Sequence, residues 1–167
     1  MGEIISSPEL EARLDRLPTQ LSDFGVDAFG FDPQYVKRVI GLGAWVYRYY
    51  FRCQTFGVEN IPDGRVMVVS NHSGQLPFDG AMIGMAAFLE REPPRFVRSA
   101  VERFVPETAF VSTFMARVGQ ILGTPENAKR LLEAEDALLV FPEGVRGLNK
   151  TWGERYRMQT FGTGFMR

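Results

Sequence analysis

The chain has 167 residues, 45% of them hydrophobic and 23% charged, with 17 glycines and 10 prolines. That composition fits one globular domain, long enough to bury a sizeable core without a covalent staple. One cysteine (Cys53) excludes an intramolecular disulfide framework, one histidine (His72) excludes multi-His metal sites, and a net charge of -1 argues against nucleic acid as a whole-surface partner.

Residues 1–10 carry Glu3 and Glu9 and no basic region, so they do not read as a signal peptide. No run approaches the ~18 uncharged apolar residues of a membrane span. The expectation is a cytosolic or peripheral protein made in a reducing compartment.

The segment from Pro8 to Leu14 predicts a short helix, and Pro18, Gly25, Gly30 and Pro33 punctuate the stretch after it. A longer helix is expected from about Pro33 to Cys53. In it Val36, Ile40, Gly43, Tyr47 and Tyr50 fall on one face of a 3.6-residue period, with Lys37, Arg38, Arg48 and Arg52 on the other side. From Phe56 onward strands and helices alternate. Val66–Ser70, Arg95–Val97, Gln120–Leu122 and Ala137–Phe141 read as strands. Asp79–Glu90, with Asp79 as N-cap, and Ala109–Val118 read as helices. So does the segment from Pro125 to about Ala134, capped by Thr124 with Pro125 at its first position. This alternation predicts an α/β fold: a three-layer α/β/α sandwich on a mostly parallel central sheet, preceded by an N-terminal helical segment. Residues 1–55 form that segment, with a candidate membrane-interface helix at 34–53, and residues 56–167 form the main domain.

Two loops come directly after buried strands: Asn71–Gly80, and Pro142–Gly147. Ligands of open α/β sheets sit beyond the carboxyl ends of the strands, so two parallel strands would bring these loops to one rim. The first loop offers an imidazole, His72, and a carboxylate, Asp79. The second offers Glu143, two glycines and the Arg146 guanidinium. Imidazole is the side chain poised to take and return a proton near neutral pH, and a carboxylate on one ring nitrogen fixes its tautomer. Each residue alone has a plainer reading: His72 a solvated loop residue, Asp79 a helix cap, Glu143 a turn residue, Arg146 a surface charge. Only their conjunction points to chemistry. Ser73 adjoins His72, but no G-x-S-x-G elbow is present. Cys53 has no visible activating partner.

Asn71-His72 with Asp79, and later Phe141-Pro142-Glu143-Gly144-Val145-Arg146, resemble two motifs of the glycerolipid acyltransferase family, N-H-x4-D and F-P-E-G-T-R-S. The resemblance covers about residues 56–167. Six residues separate His72 from Asp79 where the family has four, Val145 replaces Thr, and Gly147 replaces Ser. The family's phosphate-binding Arg is missing after Gly119-Gln120-Ile121-Leu122, with Lys129 and Arg130 further on.

The resemblance implies transfer of an acyl group from acyl-CoA or acyl-carrier protein to a hydroxyl of a glycerol-phosphate or lysophospholipid, with no cofactor and no metal. His72 would be the general base, Asp79 its orienting carboxylate and Gly74 part of the oxyanion loop. Glu143, Gly144 and Arg146 would form the acceptor site. It also implies a peripheral place on a membrane lipid surface at its cytoplasmic face. There the 34–53 helix would turn its apolar side to the lipid, the alternative being that this side simply packs on the domain. Hydrolysis of acyl thioesters by the same pair, or lipid binding without catalysis, are the rival outcomes. A fourth family motif would come after Arg167, so the chain reads as C-terminally truncated. On that expectation the Ala137–Phe141 strand would lie near an uncovered sheet edge.

Overall fold

A computed structural model describes residues 7–72, 76–101, 110–148, 150–154 and 157–162. Among these residues four strands form one all-parallel sheet: β1 (Val66–Val69), β2 (Val97–Val101), β3 (Ile121–Leu122) and β4 (Ala137–Val140), in the order β1-β4-β2-β3. The helices are α1 (Pro8–Asp15), α2 (Pro33–Trp45), α3 (Phe78–Leu89), α4 (Val111–Arg117), α5 (Pro125–Glu133) and the single turn α6 (Val145–Leu148).

Strand β4 divides the core by the period-2 rule. Ala137 and Leu139 face α3, packing with Ala87 and Ile83. Leu138 and Val140 face the other way, against Leu131 and Ala128 of α5. Helices therefore cover both faces, and the three-layer α/β/α expectation holds. All four β4 residues are buried, and the strand lies between β1 and β2. It lies one strand in from the β1 edge: the last strand among the described residues inserts into the sheet instead of extending it.

The N-terminal helices belong to the same core. Ser7 caps α1 and Asp32 caps α2, each accepting a backbone N–H with its side-chain oxygen, and Pro8 and Pro33 open the helices. Leu10 and Leu14 of α1 and Val36, Ile40 and Ala44 of α2 cluster with Met85, Phe88 and Leu89 of α3. The apolar side of α2 expected to meet lipid is thus occupied by protein. Two cations of the expected 34–53 helix are occupied too: Lys37 pairs with Asp15 at 2.9 Å and Arg48 reaches Glu9 at 3.9 Å.

After Trp45 the helix widens into a π-helical turn, Val46–Tyr50, closed by the Phe51 N–H donating to the Val46 carbonyl. A five-residue hydrogen-bond step shifts the helical face. Tyr47 stays 2% exposed, its hydroxyl 2.6 Å from Thr55 Oγ1, while Tyr50, expected on the same buried face, is 68% exposed. Two further boundaries move. Strand β2 begins at Val97, because Arg95 instead turns its guanidinium onto the Gly64 and Glu135 carbonyls. Helix α3 begins at Phe78 after Pro77, so Asp79 sits in the first turn and is not the N-cap.

A buried cation fastens the 22–32 loop to the sheet. Arg98 of β2 pairs with Asp27 and lies 3.5 Å from Asp136, with aromatic rings of Phe29, Phe31 and Phe96 at 5.4–5.6 Å from its guanidinium carbon. Asp27 also accepts the backbone N–H groups of Phe29 and Phe31, both at 2.8 Å. The Arg98 and Asp27 side chains are 5% and 7% exposed, so deleting the carboxylate strands a buried charge. Asp27→Ala is expected to lower stability by about 3–5 kcal/mol, measured by urea denaturation with an unchanged slope.

Candidate active site

The parallel register of β1 and β4, Val66 opposite Ala137 through Val69 opposite Val140, ends both strands at the same level. Ser70 continues the ladder, its N–H donating to the Val140 carbonyl at 3.1 Å. The chain leaves β1 as Asn71-His72 directly beside Phe141-Pro142-Glu143 leaving β4. The two sequence-predicted loops therefore meet on neighbouring strands.

Asp79, in the first turn of α3, holds the histidine. Its Oδ2 lies 2.6 Å from His72 Nδ1, and its Oδ1 accepts the Gly80 N–H at 2.8 Å. The carboxylate is thus fixed at both oxygens and is placed to accept a hydrogen bond from Nδ1–H, the tautomer that leaves the Nε2 lone pair free. Phe141 stacks on the imidazole with centroids 4.2 Å apart and planes 22° from parallel, which sets the tilt of the ring. A Cβ at Gly80 would stand 3.4 Å from both the Phe141 ring and Ser99 Oγ. The start of α3 thus lies in van der Waals reach of the Phe141 ring that stacks on the imidazole.

His72 also lines an apolar cavity of about 1670 Å³. Leu76, Pro77 and Phe78 wall it near the imidazole, and Gly43 of α2 and Met82 and Met85 of α3 continue it. Gly144 reaches the same cavity. Gly144 has φ +53°, a left-handed conformation that suits glycine and turns the chain from β4 into α6.

Glu143 occupies a different position from the one its motif implied. It is buried, ion-paired to Lys150 at 2.5 Å, and accepts the Gln159 N–H at 3.1 Å. Burial pushes its carboxyl up, but the Lys150 ammonium and the backbone N–H groups of Gln159 and His72 outweigh that and hold it below the ordinary carboxylate range. The carboxylate is fully covered and held in an ion pair, so it braces the loop from inside. Arg146, one turn on, is exposed, makes no ion pair among the described residues and does not line the cavity. Gly74 and Ser73 lie outside the described residues. Cys53 is half-buried and burial pushes its thiol up, away from the thiolate that a nucleophile needs. Among the described residues no three His, Cys, Asp or Glu groups are placed to hold a metal ion.

Sequence reasoning missed Lys150 and the contact made by Gly147. A Cβ at Gly147 would lie 3.0 Å from the Cβ atoms of both His72 and Glu143. Its signal was visible only as a departure from the F-P-E-G-T-R-S pattern. Lys150 carried no local signal.

Comparison with known proteins agrees with the geometry. The sequence model of the family described as Acyltransferase matches residues 52–167, which include every residue of the His72–Asp79–Glu143 arrangement. Uncharacterized proteins of Mycobacterium bovis, Mycobacterium tuberculosis and Mycobacterium leprae are each 38% identical over 144 residues, 85% of this chain. The chain spans about 40% of the length of these relatives. No solved structure matches. With a family match over most of the chain, and His72, Asp79 and the Phe141–Arg146 segment meeting at one rim, the chain belongs to the acyltransferase family, as its resemblance to the glycerolipid acyltransferases implied.

Proposed function

We propose that the protein moves a fatty acyl group from a thioester donor, acyl-CoA or acyl-carrier protein, to a hydroxyl of a glycerol-phosphate or lysophospholipid. The observation that carries this reading is the 2.6 Å bond between His72 Nδ1 and Asp79 Oδ2, with His72 lining an apolar cavity. Nε2 takes the hydroxyl proton as the oxygen attacks the thioester carbonyl. The C–O bond forms, the C–S bond breaks, and the leaving thiolate recovers the proton from the imidazolium. Asp79 steadies that imidazolium, and the amides around Gly74 are assigned the oxyanion. General-base assistance of this kind contributes about 10²–10⁴-fold. The cavity suits the acyl chain, because its walls near His72 are aliphatic and aromatic. Hydrolysis by the same pair is the alternative; labelled donor with and without lysolipid separates the two outcomes.

The acceptor's phosphate falls to Arg146, which is exposed just past the Gly144 turn and has a planar fork to offer. Glu143 supports the acceptor loop from beneath.

The membrane partner is assigned to a surface other than the one read from periodicity. Leu42, Trp45 and Tyr49 are exposed at helical spacing on the outer side of α2 and its π turn. Exposed Tyr50 packs on Phe51 at 4.9 Å, and Phe51 on Phe78 at 5.5 Å. This aromatic band ends at the residue before Asp79, with exposed Arg38 and Arg52 available to anionic headgroups. No helix among the described residues is long and apolar enough to cross a membrane, so the band would hold the protein peripherally, at the cytoplasmic face.

In the full-length protein, His72→Ala should abolish transfer with the fold intact, and adding Asp79→Asn should cost little more, since the pair acts as a unit. Residual transfer above a tenth of the parent rate refutes the base assignment. Arg146→Ala should raise the acceptor KM about tenfold or more, with the donor KM unchanged and poor rescue by Lys; a change in donor KM alone reassigns Arg146. Trp45→Ser with Tyr49→Ser should weaken binding to anionic vesicles about tenfold or more, as read by co-sedimentation. Unchanged binding removes the band from the interface.

A further inference from the structure

The loop after β4 touches His72 at its main chain, on the other side from Asp79. The Gly147 backbone lies so near that an added Cβ would stand 3.2 Å from the His72 carbonyl oxygen and 3.0 Å from its Cβ. Three residues further on, the chain sends Lys150 back into the interior. Its Nζ lies 2.5 Å from Glu143 Oε2 and donates to the His72 carbonyl oxygen at 3.2 Å. The two side chains are 4% and 0% exposed.

Burying an ammonium and a carboxylate costs several kcal/mol per ion unless the geometry is good and other hydrogen bonds are made. Lys150 makes one such bond to the residue that carries the imidazole, while Glu143 Oε1 has no hydrogen-bond partner among the described residues. Glu143 takes a second donor from Gln159. Neither member of the pair has surface to offer a substrate. The pair's placement instead fixes where the His72 backbone sits.

We propose that Lys150 is a positioning residue for the acyl transfer. Held by Glu143, it anchors the His72 main chain while Asp79 orients the ring, and Gly147 provides the close approach that makes this reach possible. The inference rests on the reading of His72 as the general base. A base must be held within about 0.5 Å of its productive position, and two anchors on opposite ends of one residue meet that demand where a single ring contact leaves the main chain free.

The test uses steady-state kinetics and thermal melting on the full-length protein. Lys150→Met should lower kcat by 10- to 100-fold while both KM values stay within about twofold, since the loss is of alignment and not of binding. The lone Glu143 left in that variant also threatens the fold, so Glu143→Gln with Lys150→Met is measured beside it. This double variant carries no charge at positions 143 and 150 and should regain most of the melting temperature while kcat stays low. Recovery of kcat together with the melting temperature would overturn the proposal and make the pair merely structural. So would an unchanged kcat in Lys150→Met. His72→Ala, run in parallel, separates the two readings. Its failure to abolish transfer overturns the base assignment and this inference together. Loss of transfer there with full kcat in Lys150→Met overturns only the positioning role.

Discussion

The pairing of β1 with β4 is the constraint on which the site depends. Two short apolar strands lie some seventy residues apart in sequence. Their parallel, in-step pairing delivers an imidazole and a Pro-Glu-Gly turn to the same level without any contact having to be arranged between the loops themselves. A one-residue slip would turn Leu138 and Val140 onto the opposite face of the sheet and lift Phe141 off the imidazole. Burial of both faces of β4 by α3 and α5 penalises such a slip. Core packing and site geometry are therefore one requirement, and alternating side chains of the same strand meet it.

The N-terminal helices extend that logic outward. By filling the space over α3 with Leu10, Leu14, Val36 and Ile40, they support the helix whose first turn carries Asp79. The Arg98–Asp27 pair ties the loop leading into α2 to the central sheet from the other direction. A segment that composition alone separates from the rest is in this way part of the support of the Asp79 carboxylate.

Legibility in the sequence tracks the range of each signal. His72, Asp79 and the Phe141–Arg146 turn were legible because residue types with specific chemistry come directly after apolar strands. The caps at Ser7, Asp32 and Thr124 are local hydrogen-bonding problems with local solutions, although of these only Thr124 is anticipated by the sequence reading. Strand order was not legible, since no property of Ala137–Val140 distinguishes an inserted strand from an edge strand before its partners are known. Asp79 misled as a cap because its carboxylate is engaged by His72 across the loop, a tertiary bond that overrides the helix-start preference. Glu143 looked like a ligand-binding acid because its partner, Lys150, lies beyond any helical or strand period. Its burial was invisible until the chain folded back.

The π turn at Val46–Tyr50 lets one continuous helical stretch face two environments. A regular helix keeps a single stripe throughout, so a segment that must seal a core at one end and present rings outward at the other would need a loop between the two tasks. One wide hydrogen-bond step does the same without breaking the rod, and Tyr47 and Tyr50, three residues apart, end up on opposite sides of the protein boundary. The outward aromatic groups thereby stay mechanically continuous with the helix that walls the apolar cavity. At the cavity wall that helix meets α3 closely, since a Cβ added at Gly43 would stand 3.1 Å from Met85 Sδ.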